Sequence, residues 1–270
     1  MNAHILKVPY DSGHRCERMA RGPGYLLSNH VLGGVPVEAI ETSLPFAAEI
    51  QTAFDLARQI STRAHQLSAE GKQVVVFSGN CGSAIGTLSG LGAQSTGVLW
   101  FDAHGEFHTP ETTRSGFLDG MPLSIATGRA WRTLAASIPH FEPVPDQNIA
   151  LIGVRDTDAE EQAALDASGI HVLSPMTNTT NMSEVVKLIA GRVRQWYLHL
   201  DLDALDPSEG TSNQWTPPDG LRASQIEEVI RQARGLLPIA GIAVASLDPS
   251  TDHDGRALGI ARSLLRAALE

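Results

Sequence analysis

Apolar and polar positions along the chain fall into two alternating textures. Short runs of β-branched and other apolar residues recur at 4–10 (HILKVPY), 36–40 (PVEAI), 74–78 (VVVFS) and 97–101 (GVLWF). Four more follow at 149–153 (IALIG), 171–174 (HVLS), 196–203 (WYLHLDLD) and 239–247 (IAGIAVASL). Each reads as a strand. Between them, segments 47–70, 159–168, 183–194, 224–235 and 256–269 space their apolar residues three and four apart, the signature of amphipathic helices. Strands alternating with helices predict parallel β-α-β crossovers. Several of the strands are apolar on both faces, so helices are expected above and below the sheet. The reading is an α/β fold in one domain over residues 1–270, a three-layer αβα sandwich.

Composition narrows the function classes. At 270 residues, 42% hydrophobic and 19% charged, the chain is long enough to bury a full core. A formal net charge of -10 argues against a nucleic-acid groove or an anionic membrane surface as partner. The first ten residues lack a signal-peptide pattern and no apolar run reaches bilayer length, so a cytoplasmic location is expected. Two cysteines, Cys16 and Cys81, make no disulfide framework, and free thiols are expected. No linker divides the chain. Segments 105–120 and 204–222 are long connections containing Gly and Pro, and loops of that length in a compact domain usually carry function.

Candidate chemistry sits where two apolar strands end. The run 97–101 leads into Asp102-Ala103-His104-Gly105-Glu106-Phe107-His108, with polar, metal-competent side chains at alternate positions. On extended backbone they would share one face. The same pattern appears in His199-Leu200-Asp201-Leu202-Asp203, which runs into Ala204-Leu205-Asp206-Pro207. Burying several unpaired carboxylates is costly, since one neutral polar group without a partner already costs roughly 2–7 kcal/mol. A divalent cation at the carboxyl edge of a parallel sheet removes that objection.

These segments resemble the ureohydrolase (arginase/agmatinase) family, whose members carry GGDHS, DAHxDxN, DxDxxDP and a downstream GTGTPxxGGL. The matching stretches are Gly79-Asn80-Cys81-Gly82-Ser83, Asp102 to His108, Asp201 to Pro207 and Thr211 to Leu221, with Arg155-Asp156-Thr157-Asp158 where the family has RDxD. The resemblance covers roughly residues 73 to 265. It implies an eight-stranded, mainly parallel arginase-like sheet and a homo-oligomer, trimer or hexamer. It also implies a divalent metal pair, Mn²⁺ by default, whose activated hydroxide attacks a guanidinium carbon. Carried over by position, one metal takes Cys81, Asp102, Glu106 and Asp201, and the other takes His104, Asp102, Asp201 and Asp203.

The departures bear on metal and substrate. Cys81 stands where most of the family has histidine, and a thiolate shifts preference toward Zn²⁺ or Fe²⁺. Cysteine also occurs here in arginase-like proteins that include a branch acting on N-hydroxyarginine. Glu106 is one methylene longer than the family's Asp. Asp119 replaces the histidine assigned to proton transfer, and His108 replaces an Asn that helps hold the amino-acid end; both are catalytic candidates. Ser246 stands where a glutamate pairs with the guanidinium. Without that counter-charge plain arginine is disfavoured, and an N-hydroxyguanidine, amidine or formimino group fits better. The resemblance implies that Asp158 and Ser115 keep contacts to the amino and carboxylate ends of an amino-acid-like small molecule, and that Arg18, in a loop that related enzymes use near the active-site mouth, is a candidate for a further carboxylate contact. Asp158 also reads as a helix N-cap.

The remaining signals are weaker. His14 and Cys16 form a pair without further ligands, and most of the eight histidines other than His104 and His108 read as surface or packing residues. The glycines of 79–92 make no dinucleotide fingerprint. Besides a C–N hydrolase, two readings stand open: a catalytically silent family subunit or binding protein, and a histone-deacetylase-like single-metal amide hydrolase, which the absence of a His-His pair disfavours.

Overall fold

The computed structural model describes residues 2–44 and 48–270. The first part of the chain gives β1 (Ala3–Val8), β2 (Tyr10–Asp11), β3 (His14–Arg15), α1 (Gly22–Ser28), β4 (Val37–Ala39), α2 (Glu49–Ala69), β5 (Gln73–Ser78) and α3 (Ser83–Leu91). The middle gives β6 (Thr96–Phe101), α4 (Pro122–Ala126), α5 (Arg132–Ala135), β7 (Ile149–Ile152), α6 (Ala159–Asp166), β8 (His171–Leu173) and α7 (Thr179–Ala190). The last part gives β9 (Gln195–Asp201), α8 (Ala223–Leu236), β10 (Ile239–Ala245) and α9 (Arg256–Leu269). Each of the eight predicted strands is present. The helix predicted from Ala47 runs as α2, and Ala47 itself lies outside the described residues.

Eight strands form one sheet in the order β4-β1-β5-β10-β9-β6-β7-β8, with every neighbouring pair parallel. Alternate residues face opposite layers. Val75, Phe77, Leu99, Phe101, Leu198 and Leu200 pack with side chains of α1, α7, α8 and α9. Val74, Val76, Trp100 and Tyr197 pack on the other side with α2, α3 and α4. This is the single-domain αβα sandwich that the hydrophobic pattern predicts. Among the described residues no helix is long and apolar enough to cross a membrane.

Helix α3 went unpredicted because all nine of its residues are buried, which erases the amphipathic period. Its glycines are packing sites. A Cβ on Gly86 would lie 2.5 Å from the Ala57 carbonyl, and one on Gly90 2.5 Å from that of Ser61, so α2 and α3 meet backbone to backbone. The segment after β1 holds the two-residue ladder of β2 with β3.

The strand order decides what meets at the sheet's carboxyl edge. Because β10 and β9 insert between β5 and β6, the ends of four strands widely separated in sequence become neighbours. Cys81, Ser246, Asp201 and Asp102 follow or end those strands.

Candidate metal centre

Two acids build the centre by the same local device. Asp201 ends β9, and its Oδ1 accepts the backbone N–H of Asp203 at 2.9 Å, turning the chain into a single 3₁₀ turn over Leu202–Ala204. Asp102 follows β6, and its Oδ1 accepts the N–H of His104 at 2.9 Å. A short carboxylate that captures an amide two residues on bends the chain and leaves its second oxygen for another partner, Trp100 Nε1 for Asp102 (2.9 Å) and the Ser246 hydroxyl for Asp201. The expectation that D-x-H-x-E and D-x-D share a face as extended strand is therefore corrected. The strands stop at Phe101 and Asp201, and the chain turns; Glu106 takes a left-handed φ of 55°.

The turns bring His104 Nδ1 to 3.4 Å from Asp102 Oδ1 and 3.5 Å from Asp203 Oδ2. Asp203 Oδ1 accepts the Ala103 N–H at 3.2 Å, and Asn213 Nδ2 donates to Asp203 Oδ2 at 3.4 Å. On the other flank, Cys81 Sγ lies 2.9 Å from Asp201 Oδ2 and 3.9 Å from Asp102 Oδ2. Cys81 is presented by a tight exit from β5. A Cβ on Gly79 would lie 2.2 Å from the Tyr10 carbonyl, so only glycine passes there.

Glu106 comes together with Cys81 and Asp119, one donor atom from each lying within 4.8 Å of the others. Asp102, His104 and Asp203 form a second such group, and Cys81, Asp102, His199 and Asp201 a third.

The charges show what this arrangement lacks. Asp102, Asp201, Asp203 and Glu106 are each no more than 5% exposed. Burial first, and the neighbouring carboxylates second, push Asp201 and Glu106 well above the usual carboxylate range. Burial also raises Asp203, against the pull of His104. Burial would depress His104, but Asp203 and Asp102 overcome it and hold the imidazolium up to about 10. Burial, followed by Asp201, Glu106 and Asp119, raises the Cys81 thiol. Glu106 Oε2 is buried with no hydrogen-bond partner among the described residues. Four crowded acids, a thiol and an orphaned oxygen, against one imidazolium, fit a bound divalent cation.

Above these groups lies a cavity of about 560 Å³ whose floor includes His104, Glu106, Asp201, Asp203 and Ser246. Asp119 lies in its wall. Its Oδ2 accepts from Asn80 Nδ2 at 2.6 Å and its Oδ1 from the Cys81 N–H at 3.1 Å, while burial raises its pKa to about 7.

The substrate candidates line the same cavity. Asp158 is the N-cap of α6, accepting the Glu161 N–H at 2.9 Å, and it faces His108 Nε2 at 3.7 Å. Ser115 is exposed at the rim, its hydroxyl accepting the Phe117 N–H. Arg18 Nε pairs with the buried Asp11 at 2.9 Å.

Ser246 is 3% exposed and has a left-handed φ of 61°. Its hydroxyl donates to Asp201 Oδ2, so it serves a predicted metal ligand as well as lining the cavity. Cys16 is exposed and free, and His14 lies 3.6 Å from Glu17, with no metal cluster around either among the described residues.

Sequence reasoning missed four supports. Asn213 ties the carbonyl of Ser246 (2.9 Å) to Asp203. Glu161 accepts the Phe107 N–H at 2.8 Å and fixes the turn that carries Glu106. Arg155 donates to the carbonyls of Asp203 (2.9 Å), Leu205 (3.2 Å), Pro217 (2.7 Å) and Pro218 (2.8 Å), gathering segment 204–222. His199 is wholly buried beside Cys81 and the acids, and its place in the polar alternation of HLDLD was its only signal.

A parallel αβα sandwich with clustered acids, imidazole and thiol at its carboxyl edge defines a metallohydrolase-like centre. The sequence matches the Arginase family over residues 2–269, and the chain belongs to that family. It is thus an arginase-family ureohydrolase, and the family uses a binuclear metal centre. It is similar to the arginase of Bacillus subtilis (strain 168), 26% identical over 98% of this chain and 96% of that one. In fold it resembles the arginase of Bacillus caldovelox, with a TM-score of 0.88 at 23% identity, covering 99% of this chain and 98% of that one. The formimidoylglutamase of Bacillus subtilis follows the same fold with a TM-score of 0.78 at 17% identity, covering 99% and 86%.

Proposed function

We propose that this chain hydrolyses a carbon–nitrogen bond in a linear N-hydroxyguanidino, amidine or formimino compound with an amino-acid-like tail. Ser246 carries the reading. Its buried hydroxyl is spent on Asp201, so position 246, where a glutamate would meet a guanidinium, itself offers no counter-charge. A guanidinium is protonated at any physiological pH, and a buried cation without its partner costs about 3–5 kcal/mol, or roughly two to four powers of ten. An N-hydroxyguanidine, the least basic of these groups, can enter neutral and avoid that cost.

In this reading His104, Asp102, Asp201 and Asp203 hold one ion, and Cys81, Asp102, Glu106 and Asp201 hold the other. When bound, a divalent pair supplies Lewis acidity and lowers the pKa of water enough to provide a nucleophile near neutral pH. Asp119, raised to about 7, exists in both protonation states near neutrality and moves a proton at the carboxylate that Asn80 orients. Asp158 and His108 face each other at 3.7 Å and address the amino end of the tail; Ser115 and Arg18 address its carboxylate. Mn²⁺ as the resident pair, a homo-oligomer and a cytoplasmic setting complete the proposal, supported by the resemblance to arginases.

The test is hydrolysis of L-arginine, agmatine, N-hydroxy-L-arginine and formiminoglutamate under one metal condition, in wild type and Ser246→Glu. Wild type should favour N-hydroxy-L-arginine over L-arginine and agmatine by about two orders of magnitude or more, and the variant should narrow the gap. A wide preference for L-arginine overturns the counter-charge reasoning. No turnover with any metal moves the chain to the silent-subunit reading.

A further inference from the structure

His199 lies among Cys81, Asp102 and Asp201, yet neither proposed ligand set uses it. It lies in β9, in register with Trp100 of β6 on one side and Ala243 of β10 on the other. Its ring is wholly buried and stacked on Trp100, with centroids 3.9 Å apart and planes 25° apart. Nδ1 lies 3.1 Å from the Tyr197 hydroxyl. The stack and this contact fix the ring about both of its side-chain torsions. Nε2 is buried with no hydrogen-bond partner among the described residues.

A packing histidine normally satisfies both nitrogens, and a buried polar atom without a partner calls for an explanation. The surroundings supply one. A ring nitrogen of His199, Cys81 Sγ and one oxygen each of Asp102 and Asp201 all lie within 4.8 Å of one another, a spacing that one ion can bridge. Nδ1 is taken by Tyr197, leaving Nε2 as the donor. A histidine that binds metal through one nitrogen usually gives the N–H of the other to an oxygen acceptor, which fixes tautomer and orientation, and the Tyr197 hydroxyl is placed to accept it.

We propose that His199 Nε2 is a metal ligand that completes, with Cys81, Asp102 and Asp201, a sulfur–nitrogen–oxygen site suited to a borderline-soft ion such as Zn²⁺. This rests on the metal-centre reading above and changes its chemistry. His199 takes the place that the proposed set gives to Glu106, which groups instead with Cys81 and Asp119, and the resulting one sulfur, one imidazole and two carboxylates favour Zn²⁺ or Co²⁺ over Mn²⁺. The neighbouring group of Asp102, His104 and Asp203 has only nitrogen and oxygen donors. The two positions therefore select different ions, and Tyr197 is the positioning residue of the softer one.

The test uses full-length protein stripped of metal and titrated with Zn²⁺ or Co²⁺ alone. X-ray absorption of the wild type with two Zn²⁺ bound should count one sulfur and two imidazoles per pair, one each from His199 and His104. His199→Phe keeps an aromatic ring on Trp100 but offers no donor. It should lose one imidazole, alter the Co²⁺ visible spectrum and weaken the thiolate-coordinated ion about tenfold or more, with Tyr197→Phe moving affinity the same way by less. A wild-type count of one imidazole per pair overturns the proposal, as does a His199→Phe spectrum and affinity equal to wild type. The wild-type count does not depend on either variant folding. Wild type that binds neither ion removes the metal-centre reading itself, whereas binding with a thiolate band that His199→Phe leaves untouched removes only the role of His199.

Discussion

The two flanks of the centre are built by different means. On the His104 side, each acid is anchored by backbone amides: Asp102 by His104, Asp201 by Asp203, and Asp203 by Ala103. Those amides hold the oxygens without help from an ion. On the Cys81 side, the donors are a thiol, a glutamate with an unpartnered oxygen and an imidazole with an unpartnered nitrogen. The first flank is held by the chain itself, and the second is balanced only when something cationic enters. Preorganisation by amides is obtained from residues two positions apart, whereas the second flank depends on strands being brought side by side.

The largest break in this comparison comes from the anchored flank. Asp203→Ala removes an oxygen facing His104, and it should abolish both metal retention and turnover. Metal analysis after extensive dialysis, run beside an activity assay, checks this. A fully active, metal-free Asp203→Ala protein would refute the hydrolase reading, because the flank would then be a structural network.

The softer flank should respond selectively rather than collapse. In Mn²⁺-loaded wild type, occupancy is expected to be unequal, with the Cys81 position the weaker, because sulfur suits Mn²⁺ poorly. Cys81→His should raise Mn²⁺ occupancy there and leave the His104 position as it was. Anomalous scattering at the manganese edge reads both positions separately. Two full, equal Mn²⁺ ions in the wild type would erase the distinction.

This division also explains what the sequence made legible. Asp102, His104, Asp201 and Asp203 stand two apart in short runs, so the anchored flank is visible as a pattern in the text. The other flank draws Cys81 from the exit of β5, His199 from within β9 and Ser246 from the exit of β10. No local pattern links residues so far apart; only the insertion of β10 and β9 between β5 and β6 does. His199 stood in the alternation with Asp201 and Asp203, but nothing local tied it to Cys81, and the turn at Glu106 was hidden because a positive φ at a non-glycine residue has no sequence signature. The strands were legible from their apolar runs. Helix α3 was not, since a helix buried on all sides carries no period.

The smallest expected effect tests how the turn that carries Glu106 is braced from outside. Glu161 is 5% exposed, its Oε1 accepts the Phe107 N–H at 2.8 Å, and its carboxyl lies against Gly105. Burial, opposed by that hydrogen bond and by His108, raises its pKa above the ordinary value of 4.5. A raised carboxyl pKa means that the folded state holds the proton more tightly than the unfolded one. The contribution to stability is then fully present below the unfolded value and is lost as pH rises through the folded one. Glu161→Gln keeps an oxygen for Phe107 and cannot ionise. In metal-free protein the two should melt together near pH 4, where both side chains are neutral, and the variant should melt slightly higher at pH 8. Comparing the proteins at each pH cancels the titration of the carboxylates remote from Glu161, which both share. A wild type that melts higher at pH 8 would show that the charge on Glu161 stabilises the turn, placing this brace with the anchored oxygens rather than with groups that wait for a cation.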